Sequence, residues 1–165
     1  MKSTVVVLND LRSLYNVGAI CRSAEGLGVD QLLCCGTTPY LVSSQDSRPP
    51  YVRDRARKEI HKTALGAEES LPPTHAADLN EVIANFRQKQ YGIYAIEQAT
   101  TSQPINQVQF AEKSLLILGS ETSGLTDDIL ELVDQIVEIP MPGKKESLNV
   151  ASAAAIAIYQ LQLRP

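Results

Sequence analysis

The chain has no tryptophan, and aromatic residues make up only 5% of its 165 positions. An extended wall of aromatic rings for stacking nucleic-acid bases is therefore not expected. No apolar run approaches the length of a membrane-spanning helix, and the opening MKSTVVVLND lacks the apolar core of a signal peptide. We therefore expect no association with a membrane.

Cysteine is also scarce, and the three present are an odd number that favours neither a disulfide framework nor a metal site. Cys34 and Cys35 are adjacent in a predicted strand, so their side chains are expected on opposite faces of a sheet. His61 and His75 have no ligand-like neighbours in the sequence. The sequence thus predicts no bound metal and a reducing, cytoplasmic environment.

The chain also has no excess of positive charge. It contains 15 lysines and arginines and 19 acidic residues, which gives a formal net charge of −4. This balance argues against a nucleic-acid binder held by bulk charge. One stretch departs from it and sets only Asp54 and Glu59 against Arg48, Arg53, Arg55, Arg57, Lys58 and Lys62. Two interpretations stay open at this point: a solvated loop and helix face, or a phosphate-binding surface.

Five short apolar runs predict strands, at residues 3–8, 31–36, 91–96, 114–119 and 135–140. The runs are continuous rather than alternating, and helical patterns separate them. This combination is typical of a parallel sheet that helices cover on both faces. We therefore predict an α/β fold and a single domain that spans residues 1–165.

Two of the helical patterns have recognisable starts, with Asn16 and Thr126 as expected N-caps. The predicted spans of the helices are 16–28, from about 52 to the prolines at 72 and 73, 78–89, a short segment after 126, and from about 148 to the chain end. Ser147 is the expected N-cap of this last, alanine-rich helix.

Ligands of a parallel sheet bind at the carboxyl ends of its strands. Three predicted loops there, residues 16–18, 119–124 and 140–149, mix glycine with polar side chains. A tight turn explains the second, GSETSG, more simply than a phosphate cradle, since it lacks the lysine of a P-loop. Arg22 lies on the first helix, offset by about 120° from Asn16. Its neighbours are mostly apolar, although an exposed arginine is usually only a solvated charge.

Taken together, these loops resemble the three motifs of the SpoU/TrmH branch of the SPOUT RNA methyltransferases. The matching segments are NVGAICR (16–22), LGSETSGL (118–125) and IPMPG (139–143) continuing to ESLNV (146–150). They occur in the family's order and spacing, and they span nearly the whole chain. One departure is Ser120, where many relatives carry asparagine.

The resemblance implies a C-terminal trefoil knot that binds S-adenosylmethionine. The residues expected to line that cofactor pocket are Ile96, Leu118, Gly119, Ile139, Met141, Ser147 and Leu148. Gly119 is expected to leave room for the closely approaching ligand. The implied chemistry is methyl transfer to a ribose 2′-hydroxyl of RNA, either tRNA or rRNA.

The resemblance also implies catalytic roles. Arg22 corresponds to the family's proposed base, acting from a partner subunit, and orientation of the hydroxyl is equally compatible with its chemistry. Asn16, Glu121 and Asn149 would position Arg22 and the ribose, while Ser147 would cap the last helix and contact the cofactor. A homodimer packed through this helix, with Ala154 in its interface, is expected.

We expect no N-terminal RNA-binding extension, so that the chain would correspond to the family's minimal form. The RNA is then expected to be held by the basic stretch, through Arg48, Arg53, Arg55, Arg57 and Lys58. An alternative is a non-catalytic knotted RNA-binding protein, although that protein would be free to lose Arg22 and Glu121. A methyltransferase for a small molecule or a protein is a third interpretation, and it would not need the basic stretch.

Overall fold

The computed structural model describes residues 2–163. Its strands are β1 (Ser3–Asn9), β2 (Gln31–Cys35), β3 (Thr74–His75), β4 (Gly92–Ile96), β5 (Gln103–Pro104), β6 (Lys113–Leu118) and β7 (Gln135–Glu138). Its α-helices are α1 (Leu14–Gly26), α2 (Pro50–Ala64), α3 (Ala67–Ser70), α4 (Leu79–Gln88), α5 (Asp127–Leu130) and α6 (Val150–Gln162), with a 3₁₀ turn at Ile105–Gln107.

All seven strands form one sheet in the order β3-β2-β1-β6-β4-β7-β5, and every strand pair is parallel. The parallel α/β sheet predicted from the apolar runs is therefore confirmed. The two strands that the sequence did not predict, β3 and β5, have two residues each and extend the opposite edges of the sheet. Runs of that length carry no readable hydrophobic pattern.

Successive residues of the strands enter two separate cores, one on each face of the sheet. Val6 and Cys34 pack with α1 and α6, whereas Val5 and Cys35 pack with α4 on the other face. The expected opposite orientation of the two adjacent cysteines is confirmed. Burial raises the pKa of Cys35 to about 12, so that it remains a thiol.

Helix α4 follows its prediction closely. Asp78 is the N-cap and accepts a hydrogen bond from the backbone N–H of Glu81. The apolar residues of its buried face are those predicted: Leu79, Val82, Ile83 and Phe86. The cap contributes about 1 kcal/mol to helix stability.

The starts and ends of the other helices differ in part from prediction. Ser13, not Asn16, caps α1, because the Ser13 hydroxyl accepts the backbone N–H of Asn16. The helix expected from residue 52 to the prolines is interrupted after α2, where Leu65 has a left-handed φ of 53°. Thr126 is the N-cap residue of α5, but its side chain makes no capping hydrogen bond.

Helix α6 lies against α1 with one face fully buried. Ala154 is on that face with 0% exposure, so it belongs to the core of its own chain. Its expected place in a dimer interface is therefore wrong, because a partner chain could not reach it. The outward apolar side chains are instead Ile156, Tyr159 and Leu163, which are 41%, 54% and 58% exposed.

Candidate functional site

A cavity of about 570 Å³ lies at the carboxyl ends of three neighbouring strands, β4, β6 and β7. All seven residues that the sequence predicted to hold the cofactor line it: Ile96, Leu118, Gly119, Ile139, Met141, Ser147 and Leu148. Of the predicted catalytic residues, Glu121, Ser147 and Asn149 also line it. The third motif thus meets the second across one cavity, as strand ends of a parallel sheet allow.

The loop after β6 is folded tightly on itself beside the cavity. The backbone N–H of Gly124 donates to the Ser120 carbonyl at 3.0 Å, and Gly124 has a left-handed φ of 65°. A Cβ on Gly119 would lie 2.5 Å from the carbonyl carbon of Gly124. Gly119 is therefore required by its own loop, whereas the sequence explained it only by space for a ligand.

Glu97, a residue that the sequence analysis missed, holds this loop from the end of β4. Its two carboxylate oxygens accept the backbone N–H groups of Gln98 and Leu125, at 2.9 and 3.1 Å. The sequence offered one indication of its role: Glu97 directly follows the predicted strand at 91–96, and ligands of a parallel sheet bind at the carboxyl ends of its strands. Glu97 fixes the second motif relative to β4.

The cavity lining carries three carboxylates and, within the described residues, no cation: Glu97, Glu121 and Glu138. Glu138 is the last residue of β7 and was also missed. The Ser102 hydroxyl donates to its Oε2 at 2.7 Å, and Oε1 has no hydrogen bond to any residue between 2 and 163. This lining favours a ligand with positive charge.

A directed series of hydrogen bonds joins the starts of α1 and α6 to the loop after β6. Ala151 donates its backbone N–H to Asn149 Oδ1 at 2.8 Å, and Asn149 Nδ2 donates to Asn16 Oδ1 at 3.2 Å. Asn16 Nδ2 then donates to Glu121 Oε1 at 3.0 Å. Each amide accepts on one side and donates on the other, so the series ends at a carboxylate. We call Asn149, Asn16 and Glu121 the amide relay.

Glu121 is held as a carboxylate by this arrangement. Partial burial raises its pKa, but hydrogen bonds from Asn16 and from backbone N–H groups, including that of Arg12, outweigh burial and lower the pKa below its ordinary value. The charged form is the one that accepts from both Asn16 and Arg12.

Asn149, not Ser147, is the N-cap of α6. The prediction for Ser147 is wrong because Ser147 lies two residues before the cap, where its exposed side chain makes no hydrogen bond with a described residue. Asn149 therefore has two tasks, since one amide caps the helix and joins the relay. Ser147 remains at the cavity wall.

Arg22 is not brought to the cavity within its own chain. It lies on α1 beside a second, shallower depression lined also by Lys62, Leu65 and Ala155. The side chain is exposed and forms no hydrogen bond or ion pair with any residue from 2 to 163. The relay residues are assembled without Arg22.

Some cations of the basic stretch are paired with carboxylates of the same chain, and the others are not. Arg48 donates to both carboxylate oxygens of Asp46 and stacks 3.5 Å above the Tyr40 ring, and its hydrogen bond lowers the pKa of Asp46 to about 2. Lys62 is paired with Glu59 at 2.8 Å. The remaining cations of the stretch are exposed and form no ion pair within the described part of the chain: Arg53, Arg55, Arg57 and Lys58.

Two further features are absent from residues 2–163. No three histidine, cysteine or carboxylate side chains among them are grouped so as to hold a metal ion. None of the helices described is both long and apolar enough to cross a membrane.

Comparison with known proteins gives a match to the SpoU rRNA Methylase family over residues 3–159. A tRNA (guanosine(18)-2′-O)-methyltransferase of Mus musculus is 29% identical over 94% of this chain and 9% of its own length. The 23S rRNA (guanosine-2′-O-)-methyltransferase RlmB of Xylella fastidiosa is 28% identical over 96% of this chain and 58% of its own. The chain therefore spans less than two thirds of these relatives.

A solved structure agrees with the sequence matches. The SpoU methyltransferase AviRb from Streptomyces viridochromogenes, in complex with the cofactor AdoMet, superposes with a TM-score of 0.77 at 25% identity. The match covers 98% of this chain and 60% of that one. Family model, relatives and fold confirm the resemblance that the three motifs indicated, and the chain belongs to the SpoU rRNA Methylase family.

Proposed function

We propose that the chain is an S-adenosylmethionine-dependent methyltransferase that methylates a ribose 2′-hydroxyl of tRNA or rRNA. The observation that carries the proposal is the convergence of the three motifs, in which the amide relay joins motif one to motifs two and three at the edge of one cavity. Membership of the family and the named activities of its relatives support the same chemistry.

The cavity fits the proposed cofactor in size and chemistry. Its apolar residues, Ile96, Leu118, Ile139, Met141 and Leu148, suit an adenine ring, and its volume of about 570 Å³ is in the range of small-molecule sites. Its three carboxylates suit a ligand that carries a sulfonium and an ammonium group. When bound, S-adenosylmethionine supplies an already activated methyl group.

The residues of the chain then have to align the 2′-hydroxyl and help it lose its proton. In this proposal the relay keeps Asn149, Asn16 and Glu121 in one arrangement at the cavity edge. Arg22 engages the hydroxyl and an adjacent phosphate with its planar guanidinium. Because Arg22 lies away from the cavity of its own chain, it acts from a second copy.

A homodimer is therefore part of the proposal. The outward apolar side chains of α6 and the depression beside Arg22 support an interface on this side of the molecule.

The trefoil knot is proposed from family membership alone. A cytoplasmic location is also part of the proposal, and the three buried cysteines, which form no disulfide, are compatible with it. The free cations of α2 are the proposed phosphate contacts, and Arg48, which Asp46 and Tyr40 occupy, is a weaker candidate.

The test is methyl transfer from labelled S-adenosylmethionine to unmodified tRNA and rRNA, followed by mapping of 2′-O-methyl sites. Arg22→Ala should lower turnover at least ~100-fold, the low end for a positioned acid–base group. Cofactor binding should be retained because Arg22 does not line the cavity. Cofactor binding without methyl transfer by the wild-type protein would favour the non-catalytic RNA-binding alternative.

Co-expression tests the contribution of the second copy. Met141→Arg should block the cavity, and each variant alone should be inactive. A mixed dimer of Arg22→Ala and Met141→Arg chains contains one site with an intact cavity and an intact arginine from its partner, so activity should return. Mixed dimers without activity would show that Arg22 does not act across the interface.

A further inference from the structure

The most exposed large apolar side chain among residues 2–163 belongs to an aromatic residue that the cavity does not use. Tyr51, in the first turn of α2, is 74% exposed, against 60% for Leu65, the next in order. Its hydroxyl makes no hydrogen bond, and its ring no ring contact, with any residue that the structure describes. Isolated exposure of this kind is ordinary, so the surroundings of the ring decide its meaning.

Tyr51 begins a row of side chains that points away from the core. Positions 51, 55 and 58 follow the i, i+4, i+7 spacing of one helix face and lie within about 60° of one another. The buried side of the helix is opposite and consists of Ala56, Ile60 and Ala64. We call Tyr51, Arg55 and Lys58 the α2 stripe. Successive members are about 4.5–6 Å apart along the axis.

Both cations of the stripe are free to bind an external anion. Arg55 and Lys58 are exposed and form no ion pair within the described part of the chain. Lys62, which continues the row, is paired with Glu59 and is therefore left out. The helix carries five cations against two carboxylates in a chain whose net charge is −4. The stripe thus combines one aromatic face with positive charge, on a locally basic surface.

This combination selects among possible partners. An apolar protein surface would leave Arg55 and Lys58 desolvated and unpaired. Duplex RNA would satisfy the cations but offers no open base face to a tyrosine ring. An unpaired RNA segment offers phosphates to the cations and a base face to the ring.

We propose that Tyr51 stacks on an unpaired base of the RNA substrate while Arg55 and Lys58 bind the adjoining phosphates. The inference rests on the proposed function for its RNA, and it adds that the segment held by α2 is single-stranded. Tyr51 then contributes a contact that is insensitive to salt, whereas the two cations contribute a contact that salt weakens.

The test compares two labelled RNA probes of one sequence, a single-stranded oligonucleotide and its duplex, by fluorescence anisotropy over a salt series. Tyr51→Ala should weaken binding of the single strand by about 5- to 150-fold, the range for loss of one base–aromatic stack, and leave the salt slope unchanged. Tyr51→Phe should retain the affinity, and the duplex should not respond to either change. Arg55→Gln/Lys58→Gln should flatten the salt slope for both probes.

Leu132→Ala is the control for loss of an exposed apolar side chain elsewhere, since Leu132 is 41% exposed after α5. It should bind both probes like the wild type. A Tyr51→Ala protein that binds the single strand normally, or loses affinity equally for the duplex, overturns the inference while methylation by the wild type stands. A wild-type protein that neither binds nor methylates RNA overturns the proposed function itself.

Discussion

Replacement of Asn149 by aspartate tests whether the amide relay is directional. Aspartate caps a helix as well as asparagine does, and its charge at a helix N-terminus adds about 0.3–1 kcal/mol of stability. As a capping residue alone, the variant should therefore be neutral or stabilised. The relay reverses this expectation, because aspartate has no N–H to donate to Asn16.

The cost follows from the observed contacts. Asn16 Oδ1 accepts from Asn149 at 3.2 Å and Asn16 Nδ2 donates to Glu121 at 3.0 Å. With a carboxylate at position 149, either orientation of the Asn16 amide leaves one oxygen facing another oxygen. One hydrogen bond is lost, about 0.5–1.5 kcal/mol, and a repulsive contact is added. After the gain at the helix N-terminus, Asn149→Asp should lose about 1 kcal/mol.

Urea denaturation at pH 7 measures this difference in two backgrounds. In the Asn16→Ala background the repulsive contact is absent, so Asn149→Asp should there be neutral or stabilising. Asn149→Ser is the matched control, because serine keeps the cap but cannot reach Asn16. If Asn149→Asp changed the free energy of unfolding in the same direction in both backgrounds, the relay as described would be refuted.

Two further predictions concern the cavity. Gly119→Ala should lower the melting temperature of the apo protein by several degrees, because the new Cβ would meet the backbone of Gly124 at 2.5 Å; an unchanged melting curve would contradict the close approach. Glu138→Gln should weaken S-adenosylmethionine more than its uncharged-sulfur product, measured by calorimetry, because it removes one of three carboxylates from the lining. An unchanged ratio of the two affinities would show that Glu138 does not recognise charge.

The sequence predicted those parts of the fold that depend on long local patterns. The five longer strands were readable because burial on both faces makes them continuous apolar runs. Helix α4 was readable because its buried residues repeat at the helical spacing. The cap of α6 was not readable, because Ser147 and Asn149 are both good N-caps and stand two residues apart. In the structure Asn149 is the cap, and its side chain also bonds to Asn16, which is 133 residues away in the chain. A contact over that separation cannot be read from the local sequence.

The candidate site divides in the same way. Six of the seven lining residues lie in the family motifs, Ile96 was expected from the family resemblance outside them, and the structure places all seven around one cavity. Glu97 and Glu138 lie outside those motifs and were missed, since only the strand order shows that β4 and β7 are neighbours. The separation of Arg22 from the cavity of its own chain could not be read from helical spacing either, because that spacing places a side chain on a face of its helix and not relative to a distant site.

The strand order also has a consequence for synthesis of the chain. Central strand β1 is made first, yet its neighbour β6 pairs Lys113 with Ser3, about 110 residues later. At ribosomal rates of 5–20 residues per second, one edge of an apolar strand waits roughly 5–20 s for its partner. Pairings over such separations also make folding slow after release. The nascent chain should therefore depend on chaperones that cover this edge. When the chaperones are depleted, the yield of folded protein should fall, although the stability of the protein that does fold is unchanged.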